Sequence, residues 1–307
     1  MTDQKSPLVV AYGMGVDSTA MLIEWHRRGL TDPQYARPDA ILFADTGSEK
    51  PETIDYLTVI NGWLESVGYP LVTILKRSSP IAGDTSLHGE CLRKSVLPSL
   101  AYGGHSCSLK WKVDPQWAWT KKEFGWTQPR KKRGAEERPA GNWNSGASHV
   151  IKLIGYDASP ADLRRVKNAV GKWPPGHQYR YPLVEWGYDR AKCIQIVKAA
   201  GLPGYNPAFL TDKVNFSRLM WLDHGGVPMK SSCWMCPASK NGEIRWLKKA
   251  HPELHSLAIQ MEQKAQAKGL RTVKGLGRSK AWQDLDCDGV AFPIPHVSNS
   301  THQGVFA

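Results

Sequence analysis

Residues Leu8 to Leu22 read LVVAYGMGVDSTAML: a short apolar run, a turn bearing Gly13 and Gly15, and the start of a helical pattern. Such a run bounded by glycine predicts a buried strand over Leu8 to Ala11. Asp17 to Arg28 predicts a helix, with Ala20, Met21, Leu22 and Ile23 clustered near its start. A glycine turn between strand and helix aims backbone N–H groups and the helix N-terminus at one spot, which suits an anion. Gly13 and Gly15 permit close approach of a ligand, and Ser18 and Thr19 add hydroxyls in the first turn. Asp17 either caps the helix or, beside a phosphate, holds Mg²⁺. No G-K-[ST] or G-x-G-x-x-G pattern is present, and a plain strand–helix turn with an aspartate cap accounts for the same residues.

Working outward, Ala40 to Ala44 predicts a second buried strand, and Pro51 sits where a first helical residue belongs. Glu52 to Val67 follows as helix and Val72 to Leu75 as a third strand. Strand and helix alternating in this way argue for a parallel α/β sheet. His149 to Gly155 predicts a later strand, and Ala161 to Ala169 and Asp189 to Ala200 predict helices. Thr127 to Ser148, rich in Pro, Gly, Arg and Asn, predicts a long loop, part of a basic insertion over about 121–148. Two helices are expected between Asn241 and Lys268, broken at His251-Pro252. The chain thus divides into an α/β domain, 1–240, and a C-terminal helical extension and tail, 241–307.

The 307 residues are 41% hydrophobic and 22% charged, which excludes a disordered, collagenous or coiled-coil chain. No apolar run is long enough for a membrane helix and no secretory signal is evident, so the expected location is the cytoplasm and no membrane partner is expected. Net charge is +12, which favours an anionic partner such as DNA, RNA or a nucleotide. Part of the excess is local: Lys121, Lys122, Arg130, Lys131, Lys132, Arg133 and Arg138 are interleaved with Phe124, Trp126 and Trp143. These aromatics either stack on bases or fill the core. Lys274, Arg278 and Lys280 form a second basic stretch, which is either a polyanion contact or an exposed loop.

Of six cysteines, only Cys233 and Cys236 have ligand spacing. C-x-x-C places two thiols on one turn, as half a zinc site, half an iron–sulfur site or a redox pair. Cys193 reads as a core residue, and Cys91 and Cys107 are candidates to complete a site.

The segment GMGVDST (Gly13 to Thr19) resembles the SGGxDS[ST] loop of the PP-loop, or adenine nucleotide alpha-hydrolase-like, superfamily. Gly13 stands where that loop has Ser, and Met14 where it has Gly. FADTGSEKPETIDYL (Phe43 to Leu57), SCSLKWKVDP (Ser106 to Pro115), GYDASPADLRR (Gly155 to Arg165) and YPLVEWGYDRAKCIQIVKAAGLP (Tyr181 to Pro203) resemble, in order, segments of phosphoadenosine phosphosulfate (PAPS) reductases. The resemblance spans roughly residues 8–240 and points to a PAPS-reductase-like branch often encoded by phages.

The resemblance implies a Rossmann-like parallel-sheet fold that binds ATP or a related adenine nucleotide with Mg²⁺. It implies phosphate contacts from Gly13, Met14, Gly15, Val16, Asp17, Ser18 and Thr19, and a nucleotide border at Asp45, Thr46 and Gly155. Asp17, Arg165 and Lys110 are the implied catalytic residues, with Arg165 favoured over Arg164. Cys107, Cys233 and Cys236 with a fourth ligand, Cys91, Cys287 or His105, are implied to hold a [4Fe–4S] cluster, with zinc as the alternative. The reductases' E-C-G-[IL]-H motif is missing from the tail PHVSNSTHQGVFA, and Cys287 lies between two acids. The expected activity is therefore adenylation of a substrate for sulfur or related group transfer, on nucleic acid, with a sulfur-donor protein as a further partner. Sulfonucleotide reduction and non-catalytic binding remain the alternatives.

Overall fold

Leu8–Ala11 forms strand β1, Val16–Gly29 helix α1, Ala40–Asp45 β2, Pro51–Ser66 α2 and Val72–Lys76 β3. The computed structural model describes residues 6–78, 81, 84–128, 141–202, 223–224, 227–228 and 231–285. Pro51 opens α2, as its fixed φ and missing N–H favour. Next come α3 (Leu87–Lys94), α4 (Ser106–Ser108) and α5 (Asp114–Glu123), the last two joined by a π-helical turn, Leu109–Val113. Residues Trp126–Thr127 (β4) and Asn142–Trp143 (β5) pair antiparallel at the base of the expected insertion. Then follow β6 (Val150–Ile154), α6 (Pro160–Ala169), β7 (His177–Arg180), α7 (Pro182–Glu185) and α8 (Arg190–Ala199). The expected break at His251 separates α9 (Asn241–Ala250) from α10 (Pro252–Ala267).

The main sheet is parallel throughout, with strand order β3-β2-β1-β6-β7, so the α/β, Rossmann-type expectation holds. Val9 of β1 stands between Ala40 and Lys152. One face is covered by Trp25, Tyr56, Ile60, Val197 and their neighbours. Ile244, Leu247, Met261 and Ala265 of α9 and α10 join that same buried cluster. The opposite face, with Val9, Leu42 and Val150, is closed by Trp143, Trp119, Phe124 and Trp126. The insertion's aromatics thus fill the core: Trp143 is fully buried, its ring 4.7 Å from that of Trp126. Of the two readings open for these aromatics, Trp143 fits the core, while Phe124 and Trp126 are half-buried against it. No helix among the described residues is long and apolar enough to cross a membrane.

Candidate functional site

Strands β1 and β6 are neighbours, yet the chain leaves one toward β2 and the other toward β7. The loops at their C-terminal ends diverge, and the crevice between them is where α/β sheets take ligands. Tyr12–Gly15 follows β1 and Gly155–Ser159 follows β6, Arg190 at the start of α8 bonds Asp17, and Ser231 lies against Gly15.

Close approach explains two glycines. A Cβ on Gly155 would lie 2.7 Å from Ser18 Cα and 2.9 Å from Ser18 N, so β6 can end against α1 only with glycine there. A Cβ on Gly15 would lie 2.4 Å from Ser231 Oγ. Gly13 is exposed, with its backbone open to the crevice.

The first turn of α1 has no side-chain cap, so its leading N–H groups lack an intrahelical acceptor. Ser18 Oγ accepts from Gly15 N at 3.3 Å and donates to Gly15 O at 3.1 Å. Thr19, fully buried, donates to Gly15 O at 2.9 Å, which leaves Tyr12 to donate its hydroxyl proton to Thr19. The expectation that Thr19 offers its hydroxyl to phosphate is corrected: Tyr12 and Thr19 form an internal strut behind the loop. Val16 is fully buried and can serve only through its backbone. Met14 adopts φ 59 and is also fully buried. A left-handed residue with a Cβ costs about 1–2 kcal/mol, which burial of the thioether side chain, worth about 2 kcal/mol, offsets. Met14 is a core anchor with a glycine's backbone.

Asp17 faces the crevice. Arg190, the first residue of α8, donates to Asp17 Oδ2 at 2.5 Å. Asp17 Oδ1 is buried with no hydrogen-bond partner among the described residues. Burial pushes the Asp17 carboxyl up to about 6; Arg190 opposes this, and the nearby Asp157 and Asp162 add to it. Asp157 is itself buried, its Oδ1 accepting from Ser159 N at 2.9 Å. Asp189 caps α8 by accepting from Lys192 N, and Tyr188 bonds Glu24 and Arg28 of α1, so Arg190 is held from both sides.

Two expected catalytic residues lie elsewhere. Arg165 is exposed on α6 and bonds Asp162 at 2.6 Å, with its guanidinium 5.9 Å from the Tyr156 ring. Arg190 is the arginine beside the loop, and sequence reasoning missed it; the signal was Asp-Arg opening a helix in GYDRAKC. Lys110 binds Glu90, which Lys94 and Trp111 also contact. Burial would raise the Glu90 carboxyl, but these three donors hold it down at about 2. That cluster lines a separate cavity of about 290 Å³ with Cys91 and Cys107.

At the end of β2, Asp45 accepts from Gly47 N at 2.7 Å and pairs with Lys76, so it shapes its own turn. Thr46 donates to Glu49 at 3.0 Å, and its Oγ1 lies 3.2 Å from Cys233 Sγ. Glu49 pairs antiparallel with Cys233, and Trp234 N donates to Ser48 O, which fastens the C-x-x-C turn to the β2 loop. Lys112 bonds Glu49 at 3.2 Å. Charged residues flanking the start of α2 are interior: Lys50 and Glu52 are each 2% exposed, and His251 contacts Glu52 at 2.7 Å.

Burial raises the thiols of Cys233 and Cys236 despite the adjacent Lys112, and pushes Cys91 up to about 12. Cys193 is fully buried, as expected. Cys236 N donates to Cys233 O, so these two share one tight turn. Among the described residues, no three His, Cys, Asp or Glu side chains are gathered closely enough to hold a metal ion. Cys91, Cys107, Cys233 and Cys236 do not form such a group, although Cys107 acts electrostatically on both Cys91 and Cys236. Cys91 belongs to the cavity beside Glu90, while Cys233 is held by Thr46 and Glu49. Cys287 and the basic run Arg130 to Arg133 with Arg138 lie outside the described residues.

No family model and no curated protein matches the chain. Among solved structures, it is similar to the PAPS reductase of Candida auris in its phosphate complex, at 16% identity and a TM-score of 0.35. That match covers 64% of this chain and 73% of the reductase.

Proposed function

We propose that the crevice between the β1 and β6 loops binds the phosphates of an adenine nucleotide and activates an acceptor by adenylation. The observation that carries this reading is Asp17: a buried carboxylate oxygen without a partner among the described residues, beside an uncapped helix start, at the sheet's switch point. The donor set suits a nucleotide with Mg²⁺. The leading amides of α1 and the Gly13–Gly15 backbone face the phosphates, and Asp17 with Asp157 offers hard oxygen ligands to the cation. When bound, Mg²⁺ supplies neutralisation of phosphate oxygens.

Arg190 pairs with Asp17, and its guanidinium would be a donor to the phosphates were a cation to occupy the carboxylate. In the reaction an acceptor oxygen attacks the α-phosphorus. The new O–P bond forms as the α–β bridging bond breaks, and pyrophosphate leaves with the electron pair while a hydroxyl acceptor's proton passes to water. The residues named stabilise charge on the leaving group, which is electrostatic catalysis by preorganised donors. The net charge of +12 supports a nucleic acid as acceptor.

Sulfonucleotide reduction is the weaker reading, because it requires a reactive thiolate and burial disfavours that form at Cys91, Cys233 and Cys236. Titration calorimetry with ATP and Mg²⁺, followed by a pyrophosphate-release assay with DNA and with RNA, tests the proposal. Binding that Asp17→Asn weakens, with release of pyrophosphate, supports it. Binding without release leaves a non-catalytic nucleotide module, and no binding overturns the reading.

A further inference from the structure

After α10 the chain folds into a basic turn outside the crevice. A cavity of about 590 Å³, open to solvent, is lined there by Arg271, Thr272, Lys274, Arg278 and Ser279 among its neighbours, with no acid in its wall. Arg271 and Lys274 are exposed, and the side chain of neither makes a hydrogen bond or ion pair among the described residues.

The turn is built rather than loose. Glu262, fully buried on α10, accepts backbone N–H bonds from Leu276 at 2.6 Å and from Trp282 at 3.0 Å. Gln266 donates to Lys274 O, and Lys274 N donates to Arg278 O at 2.7 Å. Arg278 holds φ 63 while its Nε donates to Leu100 O at 2.9 Å. A non-glycine residue in this region costs about 1–3 kcal/mol and persists only where its surroundings enforce it. The buried carboxylate enforces it here, and the result is three cations displayed on a rigid frame.

We infer that this groove binds the sugar–phosphate backbone of a nucleic acid. Unpaired cations around an open trough neutralise successive phosphates, and the two hydroxyls of Thr272 and Ser279 add uncharged donors. Among the described residues the wall has no aromatic side chain, so its contacts are to phosphate and sugar and carry little sequence information. The inference rests on the reading of a nucleic-acid acceptor and gives that acceptor its docking site.

The test is fluorescence anisotropy of a labelled oligothymidylate and of a duplex, titrated with the full chain across a salt series. The parent is compared with Arg271→Glu/Lys274→Glu, with Arg271→Gln/Lys274→Gln and with the charge-matched control Lys172→Glu/Lys198→Glu. Losing two phosphate contacts should lower the slope of log affinity against log salt by about 1.4 for the single strand. The control should leave the slope unchanged. Equal loss in groove and control variants would show a general charge effect and overturn the site. No binding by the parent would overturn both the site and the nucleic-acid acceptor, and leave nucleotide binding at the crevice to its own test. Should the variants fail to fold, acetylation of Lys274 in the parent decides: protection by the oligonucleotide supports the groove, and unchanged labelling under saturating oligonucleotide overturns it.

Discussion

Arg190 Nη1 lies 2.5 Å from Asp17 Oδ2, although 173 residues of chain separate them. One residue opens α8 and the other lies in the first turn of α1, and the two helices pack on the same face of the sheet. Their contact closes the crevice between β1 and β6 on its polar side. It also leaves the second Asp17 oxygen buried and unmatched among the described residues.

That imbalance has a pH signature. The folded chain holds the Asp17 proton up to about pH 6, whereas an unfolded aspartate releases it near 3.8. Between those values the folded state binds more protons, so stability falls as pH rises through the window and stays lower above it. Asp17→Asn should therefore be more stable than the parent at about pH 8, by about 1–3 kcal/mol, and should show no such gain at about pH 3.5. Denaturant melts at the two pH values measure this.

Gly155 sets the distance between β6 and α1. Gly155→Ala places a methyl against the Ser18 backbone and should cost about 1–3 kcal/mol. It should also weaken ATP binding by about tenfold, because a displaced α1 turn misaims its N–H groups. Calorimetric titration beside a thermal melt separates the two effects.

The two arginines should differ. Arg190→Ala is expected to lower ATP affinity by about tenfold or more, as expected for loss of a charge-assisted phosphate contact. Arg165→Ala removes an exposed pair with Asp162 and should change affinity by less than about twofold. The same titration compares both variants with the parent.

Lys112 and Glu49 should be coupled. Lys112→Met leaves a buried carboxylate unpaired and should destabilise the fold by about 2–4 kcal/mol. Adding Glu49→Gln should recover more than about half of that loss in a double-mutant cycle. Simple additivity of the two would show that the pair contributes nothing beyond its separate members.

The α/β half of the fold was legible because its signals are local. Val9, Val10, Ile41 and Leu42 form continuous apolar runs, and Pro51 and the glycine turn punctuate them. Strand β7, His177–Arg180, was not legible, since its alternation of polar and aromatic residues carries no apolar run. Helix α3 escaped because Gly89 and Glu90 interrupt its apolar positions, although Ser86 caps it by accepting from Gly89 N. In the site, Asp17 was found through its neighbours in sequence. Arg190 and the burial of Lys50 and Glu52 were not, because each depends on contacts between distant segments. Thr19 was misread for the same reason: its partner Tyr12 lies seven residues back, across the loop.

The central claim is that nucleotide phosphates occupy the turn after β1. Hydrogen–deuterium exchange with and without ATP and Mg²⁺ tests this most directly. The account predicts protection of the peptides covering Tyr12 to Leu22 and Gly155 to Asp162, with little change over α10. Saturating nucleotide that leaves both peptides unprotected, or that protects only segments remote from them, would contradict it.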